Sequence, residues 1–201
     1  MLIRFHITHV TANGNEDFWS FLSGAMVYND LVLTCSHGLY NNAGLTPVFA
    51  DGIYVYPGYS AATFQANATH YYVSGRYTPY QYYSGGTLDF DYDWSVLTTE
   101  TAFSSSCFGY GYANGITNKS VTSMGYPDMG NFFMWETSGV MNSTSAARFS
   151  STLSCMGGQS GAPVFDSNNI IWGIMTAYDG YYHGHGCLVT STIYSVIMSL
   201  H

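Results

Sequence analysis

Charge is what this chain has least of. Asp, Glu, Lys and Arg make up 8% of its 201 residues, and only 4 are Lys or Arg against 12 acids. The formal net charge of −8 works against nucleic acid and against anionic membrane surfaces, since both select basic patches. Membrane proteins are also poor in charge, but no uninterrupted apolar run here reaches the ~18 residues of a spanning helix. The opening, Met1-Leu2-Ile3-Arg4, has neither the apolar core nor the small-residue cleavage site of a secretory signal. Cysteine is scarce: Cys35, Cys107, Cys155 and Cys187 form no Cys-x-x-Cys and no Cys/His pair at zinc-finger spacing. Two disulfides, in any of three pairings, fit this count, and so do free buried thiols.

What is present favours β-structure. The chain is 47% hydrophobic, which is enough to fold, and carries 19 Tyr and 22 Gly. Its length suits one domain or two packed halves. Residues 1–22 are unclear apart from a turn at Asn13-Gly14. Apolar runs then predict strands over Gly24–Tyr28 and Leu31–Thr34, joined by a turn at Asn29-Asp30, and over Ile53–Tyr56 and His70–Val73. A tyrosine-crowded segment, 71–83, precedes the apolar run Trp94–Leu97. After a Ser/Gly-rich connection at 104–111, strands are expected at Ser120–Met124, Phe132–Trp135, Ala146–Leu153, Ala162–Phe165, Ile170–Ala177 and Gly186–Thr190. Ile193, Val196, Ile197 and Leu200 recur at helical spacing, so Thr192–Leu200 reads as a helix. The reading is all-β, sandwich or barrel, in two halves with a terminal helix.

One stretch carries chemistry: Ser154-Cys155-Met156-Gly157-Gly158-Gln159-Ser160-Gly161-Ala162-Pro163. Glycines beside a serine let the backbone turn tightly and aim N–H groups at one point. A hydroxyl nucleophile beside two amide donors is what acyl transfer needs. A Gly-rich hairpin turn is the plainer reading. His37 follows the apolar run Leu31–Thr34, where a strand can hold a general base at a cleft. Asp93 sits at the mouth of Trp94–Leu97, where an unpaired acid would be costly, and a histidine N–H would relieve it. Asp89 and Asp91 could substitute for it, or the three acids could form a calcium loop, although no glycine and glutamate complete one. His37, Asp93 and Ser160 stand in the order of one known triad, and each has a fitting local context.

These residues resemble the glutamyl endopeptidase branch of the chymotrypsin-fold serine proteases. The run Leu33-Thr34-Cys35-Ser36-His37 fits that family's strand-Thr-x-x-His segment, and Asp93 before a short apolar strand fits its aspartate. Val121-Thr122-Ser123-Met124-Gly125-Tyr126-Pro127, Met134-Trp135-Glu136 and Gly157–Phe165 follow its later motifs at similar spacing. The likeness covers roughly residues 24–190. It implies two six-stranded antiparallel barrels, 1–103 carrying His37 and Asp93 and 104–201 carrying Ser160, with a C-terminal helix. It also implies an endopeptidase working through an acyl-enzyme, with Gly158 and Ser160 N–H groups as oxyanion donors. Substrate would lie along Thr176, Ala177 and Tyr178.

Two departures bear on specificity and activation. Cys155 and Met175 stand where the branch has the threonine and histidine that bind a glutamate side chain, and neither can hold a carboxylate. Ser154, Cys155, Met175 and Tyr178 would therefore make a neutral pocket. Gln159 stands where pancreatic-type enzymes carry an aspartate that pairs with a new N-terminus, so activation here would not use that ion pair. A Cys155–Cys187 disulfide near the pocket is one of the open thiol readings. No cofactor or metal is expected: His183-Gly184-His185 lacks an evident third ligand. The partners expected are peptide or protein substrates, with neither nucleic acid nor membrane, acting on a secreted or extracellular monomer. The competing readings are a catalytically silent binding module and a sugar-binding surface on the tyrosines of 71–83. Asn67, Asn118 and Asn142 open glycosylation sequons that matter only in a eukaryotic secretory host.

Overall fold

The computed structural model describes residues 1–11, 14–41, 48–59, 69–84, 89–104, 106–129 and 133–201. The first half holds β1 (Leu2–Thr11), β2 (Gly14–Ser23), β3 (Ala25–Met26), β4 (Leu31–Thr34), β5 (Tyr40–Asn41), β6 (Val48–Phe49), β7 (Gly52–Tyr56), β8 (Tyr71–Tyr77), α1 (Tyr80–Tyr83) and β9 (Ser95–Thr99). The second holds β10 (Gly109–Tyr110), β11 (Lys119–Gly125), β12 (Trp135–Ser143), β13 (Arg148–Ser154), β14 (Pro163–Phe165), β15 (Ile170–Tyr178), β16 (His183–Leu188) and α2 (Ser191–Leu200).

The first sheet runs β2-β1-β7-β8-β9-β4-β3. Its two ends are one piece of chain, because only Gly24 separates β2 from β3. The bent segment therefore counts as a single strand that pairs with β1 at one end and β4 at the other, giving a six-stranded, nearly closed barrel. The bend is tightly packed: a Cβ on Gly24 would lie 2.6 Å from Ile3 Cδ1 and 3.2 Å from Leu33 O, so Ile3 would have to move to admit one. The second sheet runs β10-β15-β14-β11-β12-β13-β16, and β16 pairs back onto β15. Six antiparallel strands close this barrel, with the short parallel β10 added outside.

Alternation drives each barrel. Ile3, Phe5 and Ile7 are buried with Leu22, Val32, Val55 and Leu97, while Arg4 and His6 between them stay partly exposed. Val121, Met141, Phe149, Leu153, Val164 and Leu188 fill the second barrel. A third cluster lies between the two: Leu31, Leu33, Trp94 and Val96 meet Phe165, Ile171, Ile174 and, from α2, Ile193 and Ile197. Each such side chain contributes about 1.5–3 kcal/mol, so this cluster fixes one barrel against the other. Thr190 caps α2 by accepting the Ile193 N–H at 3.3 Å.

Several expectations need correction. Within 1–22, left unclear, β1 and β2 pair in register from Leu2↔Ser23 to Thr11↔Gly14; Asn13 of the expected turn lies outside the described residues. The strand expected at Phe132–Trp135 begins only at Trp135, Phe132 is undescribed, and Phe133 and Met134 are exposed. The 104–111 connection contains β10. The tyrosine-rich segment is not one exposed surface. Tyr72, Tyr77 and Tyr80 are exposed, but Tyr82 is fully buried and Tyr71 packs on the first core. Cys155 and Cys187 are free thiols, as are Cys35 and Cys107. No bridge joins the first two because they face different clusters, Cys155 the second barrel's core and Cys187 the inter-barrel one. Asn67 lies outside the described residues.

Candidate active site

The β4–β9 pairing builds the acid–base half of the site. Thr34 pairs with Ser95, so the chain leaving β4 (Cys35-Ser36-His37) passes the chain entering β9 (Asp93-Trp94). Asp93 is 0% exposed, and its carboxylate is fully engaged. Oδ1 accepts the backbone N–H of Ser36 and of His37, each at 2.8 Å. Oδ2 lies 2.7 Å from His37 Nδ1. An ionised carboxylate only accepts, so Nδ1 carries the ring proton and Nε2 offers its lone pair. Nε2 lies 2.8 Å from Ser160 Oγ. Residues 37, 93 and 160 thus converge in one hydrogen-bonded line. Burial favours the neutral imidazole, but the neighbouring Cys35 sulfur and Asp93 carboxylate outweigh it and raise the His37 pKa well above 6.5.

Asp89 and Asp91 do not share this site. Asp89 accepts the Asp91 N–H at 3.0 Å, and Asp91 Oδ1 lies 3.9 Å from Arg148 Nε. The three acids point to three different partners, which removes the calcium-loop reading. Around the acid–base pair runs a hydroxyl chain that the sequence did not reveal. Ser36 Oγ donates to Trp94 O at 2.6 Å and lies 2.9 Å from Ser95 Oγ, which is 2.8 Å from Thr78 Oγ1. Cys187 Sγ contacts Phe90 O at 3.2 Å and Asp93 O at 3.6 Å, propping the turn that presents Asp93. Burial and the Asp93 carboxylate push its pKa up, so it stays a thiol.

The nucleophile loop, residues 156–162, depends on two left-handed glycines, Gly158 at φ +86° and Gly161 at φ +81°. The Asp128 N–H donates to Gly157 O at 2.7 Å, so in the trans peptide the Gly158 N–H points the opposite way, away from Asp128. Among the described residues neither the Gly158 nor the Ser160 N–H donates to any group, which is the state an oxyanion site requires. Gln159 is buried, and its Oε1 accepts the Met156 N–H at 2.8 Å. Its amide staples the loop internally where an aspartate would need an external ammonium.

Ser23, at the end of β2, ties this loop to the first barrel. Its N–H donates to Ser160 O at 2.7 Å and its hydroxyl to Gly158 O at 3.0 Å. The hydroxyl also accepts the Tyr126 N–H at 2.9 Å, and its carbonyl accepts the Thr34 hydroxyl at 2.7 Å. Neither its sequence context nor any motif marked Ser23 as functional.

The expected specificity residues surround the far side of the loop. Cys155 and Met175 are buried, Ser154 and Ala177 are exposed, and Tyr178 is half exposed and stacked on Tyr182 with centroids 5.8 Å apart. Burial pushes the Cys155 pKa up to about 11, so no charge faces this wall from it. Thr176 is buried, and its Oγ1 has no partner among the described residues. His183 and His185 do have an acid between them: Asp179 Oδ2 lies 3.2 Å from His183 Nδ1 and 3.9 Å from His185 Nε2. That carboxylate also accepts the Tyr181 and His183 backbone N–H groups, so it closes a turn.

The model of one protein family, described as the trypsin-like peptidase domain, matches residues 22–174. That range includes His37, Asp93 and Ser160. No curated protein matches the chain by sequence. Solved structures of like fold are numerous. One, described as a Glu endopeptidase in complex with MPD, superposes with a TM-score of 0.77 at 21% identity, over 98% of this chain and 89% of that one.

Proposed function

From the premise that this chain belongs to the trypsin-like peptidase family, and is a serine-type endopeptidase, we propose that it cleaves peptide bonds through an acyl-enzyme with His37, Asp93 and Ser160 as the triad. The observation that carries this reading is the line of contacts at 2.7 Å and 2.8 Å from carboxylate to ring to hydroxyl. His37 Nε2 takes the Ser160 proton as Oγ attacks the scissile carbonyl, then delivers it to the leaving amine. The carbonyl oxygen becomes an anion between the Gly158 and Ser160 N–H groups. Asp93 holds the ring and offsets its charge once it is protonated.

The acyl side of the substrate adds as a strand along Thr176–Tyr178. On this side β15 is paired through Met175, whose N–H donates to Ala162 O and whose carbonyl accepts the Gly161 N–H; past it, among the described residues, the edge is open for main-chain bonds. The side chains there, Ser154, Cys155, Met175 and Tyr178, carry no formal charge, so we assign this side an uncharged residue before the scissile bond. The 1–103 and 104–201 halves each supply part of the site. Export of a monomeric enzyme is the setting that fits this family likeness. Ser160→Ala should abolish casein cleavage, and a fluorophosphonate should label Ser160 alone. Unlabelled protein with no turnover would instead identify a silent module. A peptide library selecting Glu or Asp before the cut would overturn the neutral-pocket assignment.

A further inference from the structure

A second cavity, of about 330 Å³, opens beside the nucleophile on the side away from β15. Phe5 and Ile7 of β1, Ser20, Phe21 and Leu22 of β2, and Gly38 and Tyr40 beyond the general base form its wall with His37 and Ser160. None of the acyl-side residues, 154–156 or 175–178, contributes. We propose that this cavity is the leaving-group subsite and that it selects an apolar side chain in the residue directly after the scissile bond. The inference rests on the peptidase reading above and names the second half of its substrate.

Three observations carry it. The first is continuity. A chain that pairs with Thr176–Tyr178 and places its carbonyl at Gly158 and Ser160 must continue past Ser160. The wall it meets there is made by β1, β2 and the segment following His37. The second is chemistry. His37 must protonate the departing nitrogen, and His37 lines this cavity, so the amine leaves into it. The third is the lining itself. Apart from His37, the wall has no Lys, Arg, Asp or Glu among the described residues. Phe5, Ile7 and Leu22 are buried there, and a charged side chain entering would lose hydration without gaining a partner. Gly38 lets the apolar wall close up against the backbone, since a Cβ there would collide with Leu22 Cδ2 and lie 3.6 Å from Phe5 Cε1. An apolar side chain entering removes its own surface and that of the wall from water.

Acyl transfer to added amines tests this directly. The enzyme is acylated by a p-nitrophenyl ester, whose leaving group carries no amino-acid side chain. Amino-acid amides then compete with water for the acyl group. The amine nitrogen attacks the ester carbonyl, a C–N bond forms, and the bond to Oγ breaks. The amine proton passes through His37 Nε2 to the Ser160 oxygen. By microscopic reversibility the amine must occupy the leaving-group subsite.

Leucinamide and phenylalaninamide are expected to capture the acyl group at least about tenfold better than aspartamide with a free side-chain carboxylate, glycinamide or lysinamide. Ser20→Trp, which puts a large ring at the mouth of the cavity, is expected to cut that preference to about twofold or less. Equal capture of all five amides by the unmodified enzyme would overturn the subsite, as would an unchanged preference in Ser20→Trp. These failures are distinct from failure of the peptidase reading. An enzyme that does not hydrolyse the ester at all sinks both, whereas one that hydrolyses it with flat amide selectivity sinks the subsite alone.

Discussion

Replacing Gly158 by alanine is the sharpest perturbation of the oxyanion geometry. An L-residue at φ +86° costs about 1–2 kcal/mol. The added Cβ would lie 2.5 Å from Tyr126 O, 2.7 Å from Asp128 N and 3.2 Å from Pro127 C. All three are backbone atoms, so no rotamer change relieves the overlap. The least costly escape turns the 157–158 peptide, which breaks the Asp128 N–H to Gly157 O bond, a further ~0.5–1.5 kcal/mol. The sum, about 1.5–3.5 kcal/mol, lowers Tm by roughly 3–14 °C for a chain of this length. Turning the peptide also withdraws one oxyanion donor, which costs about 100- to 1000-fold in kcat. Ester hydrolysis normalised to active sites by fluorophosphonate titration, with thermal melts alongside, measures both. Gly157→Ala is the control: its Cβ would meet nothing within 4 Å, so its Tm should stay within about 2 °C of the parent. A Gly158→Ala enzyme with kcat within threefold of the parent would refute the assignment of that N–H.

Asp93→Asn should lower kcat by about four orders of magnitude, since the amide fixes the wrong tautomer. The carboxylate is also one of the groups raising His37, so the acid limb of the residual pH–rate profile should move to lower pH; an upward move contradicts the account. The same raised pKa links stability to pH. Because His37 binds its proton more tightly folded than unfolded, its contribution is complete below about 6.5 and is lost as pH rises through the folded value. Urea midpoints taken across that range should fall, and His37→Gln should flatten the fall. Ser23→Ala removes the acceptor of the Tyr126 N–H, leaving a buried donor unsatisfied at a cost of about 1–3 kcal/mol. Its urea midpoint should drop accordingly and kcat with it, since the hydroxyl also holds the Gly158 carbonyl. An unchanged midpoint would show that the bracket is idle.

Side-chain chemistry is local in sequence, and that is why the three residues that converge at the candidate site were legible. An apolar strand before His37, an acid at the mouth of Trp94–Leu97 and glycines around Ser160 each leave a mark a few residues wide. The β1–β2 hairpin left a mark as well, in the alternation Ile3-Phe5-Ile7, but Leu2 breaks the period because it is buried against Tyr59 and Tyr126 rather than in the barrel. The strand placed at Phe132–Trp135 failed for a related reason. Its apolar residues look like a core run, yet Phe133 and Met134 face solvent, and the ladder begins at Trp135.

What stayed invisible is what one barrel does to the other. Ser23 reads as an unremarkable strand serine, and its two donors find partners only because the loop around Ser160 arrives from about 135 residues away. Asp128 acts through its backbone N–H, which no side chain advertises. For Cys187 the sequence left a bridge to Cys155 and a free thiol equally open, because neither reading depends on neighbouring residues, whereas in the fold its sulfur supports the Asp93 turn from the opposite barrel. The residues we assign to the chemistry are thus encoded where they sit. The residues that hold them to within hydrogen-bond tolerance are encoded only in the packing of Leu31, Leu33, Trp94 and Val96 against Phe165, Ile171 and Ile174. A cleft enzyme built on two barrels puts its reactive groups on the near ends of strands and its precision in the seam between them. A substitution in that seam should therefore lower kcat without touching any of the three reacting side chains.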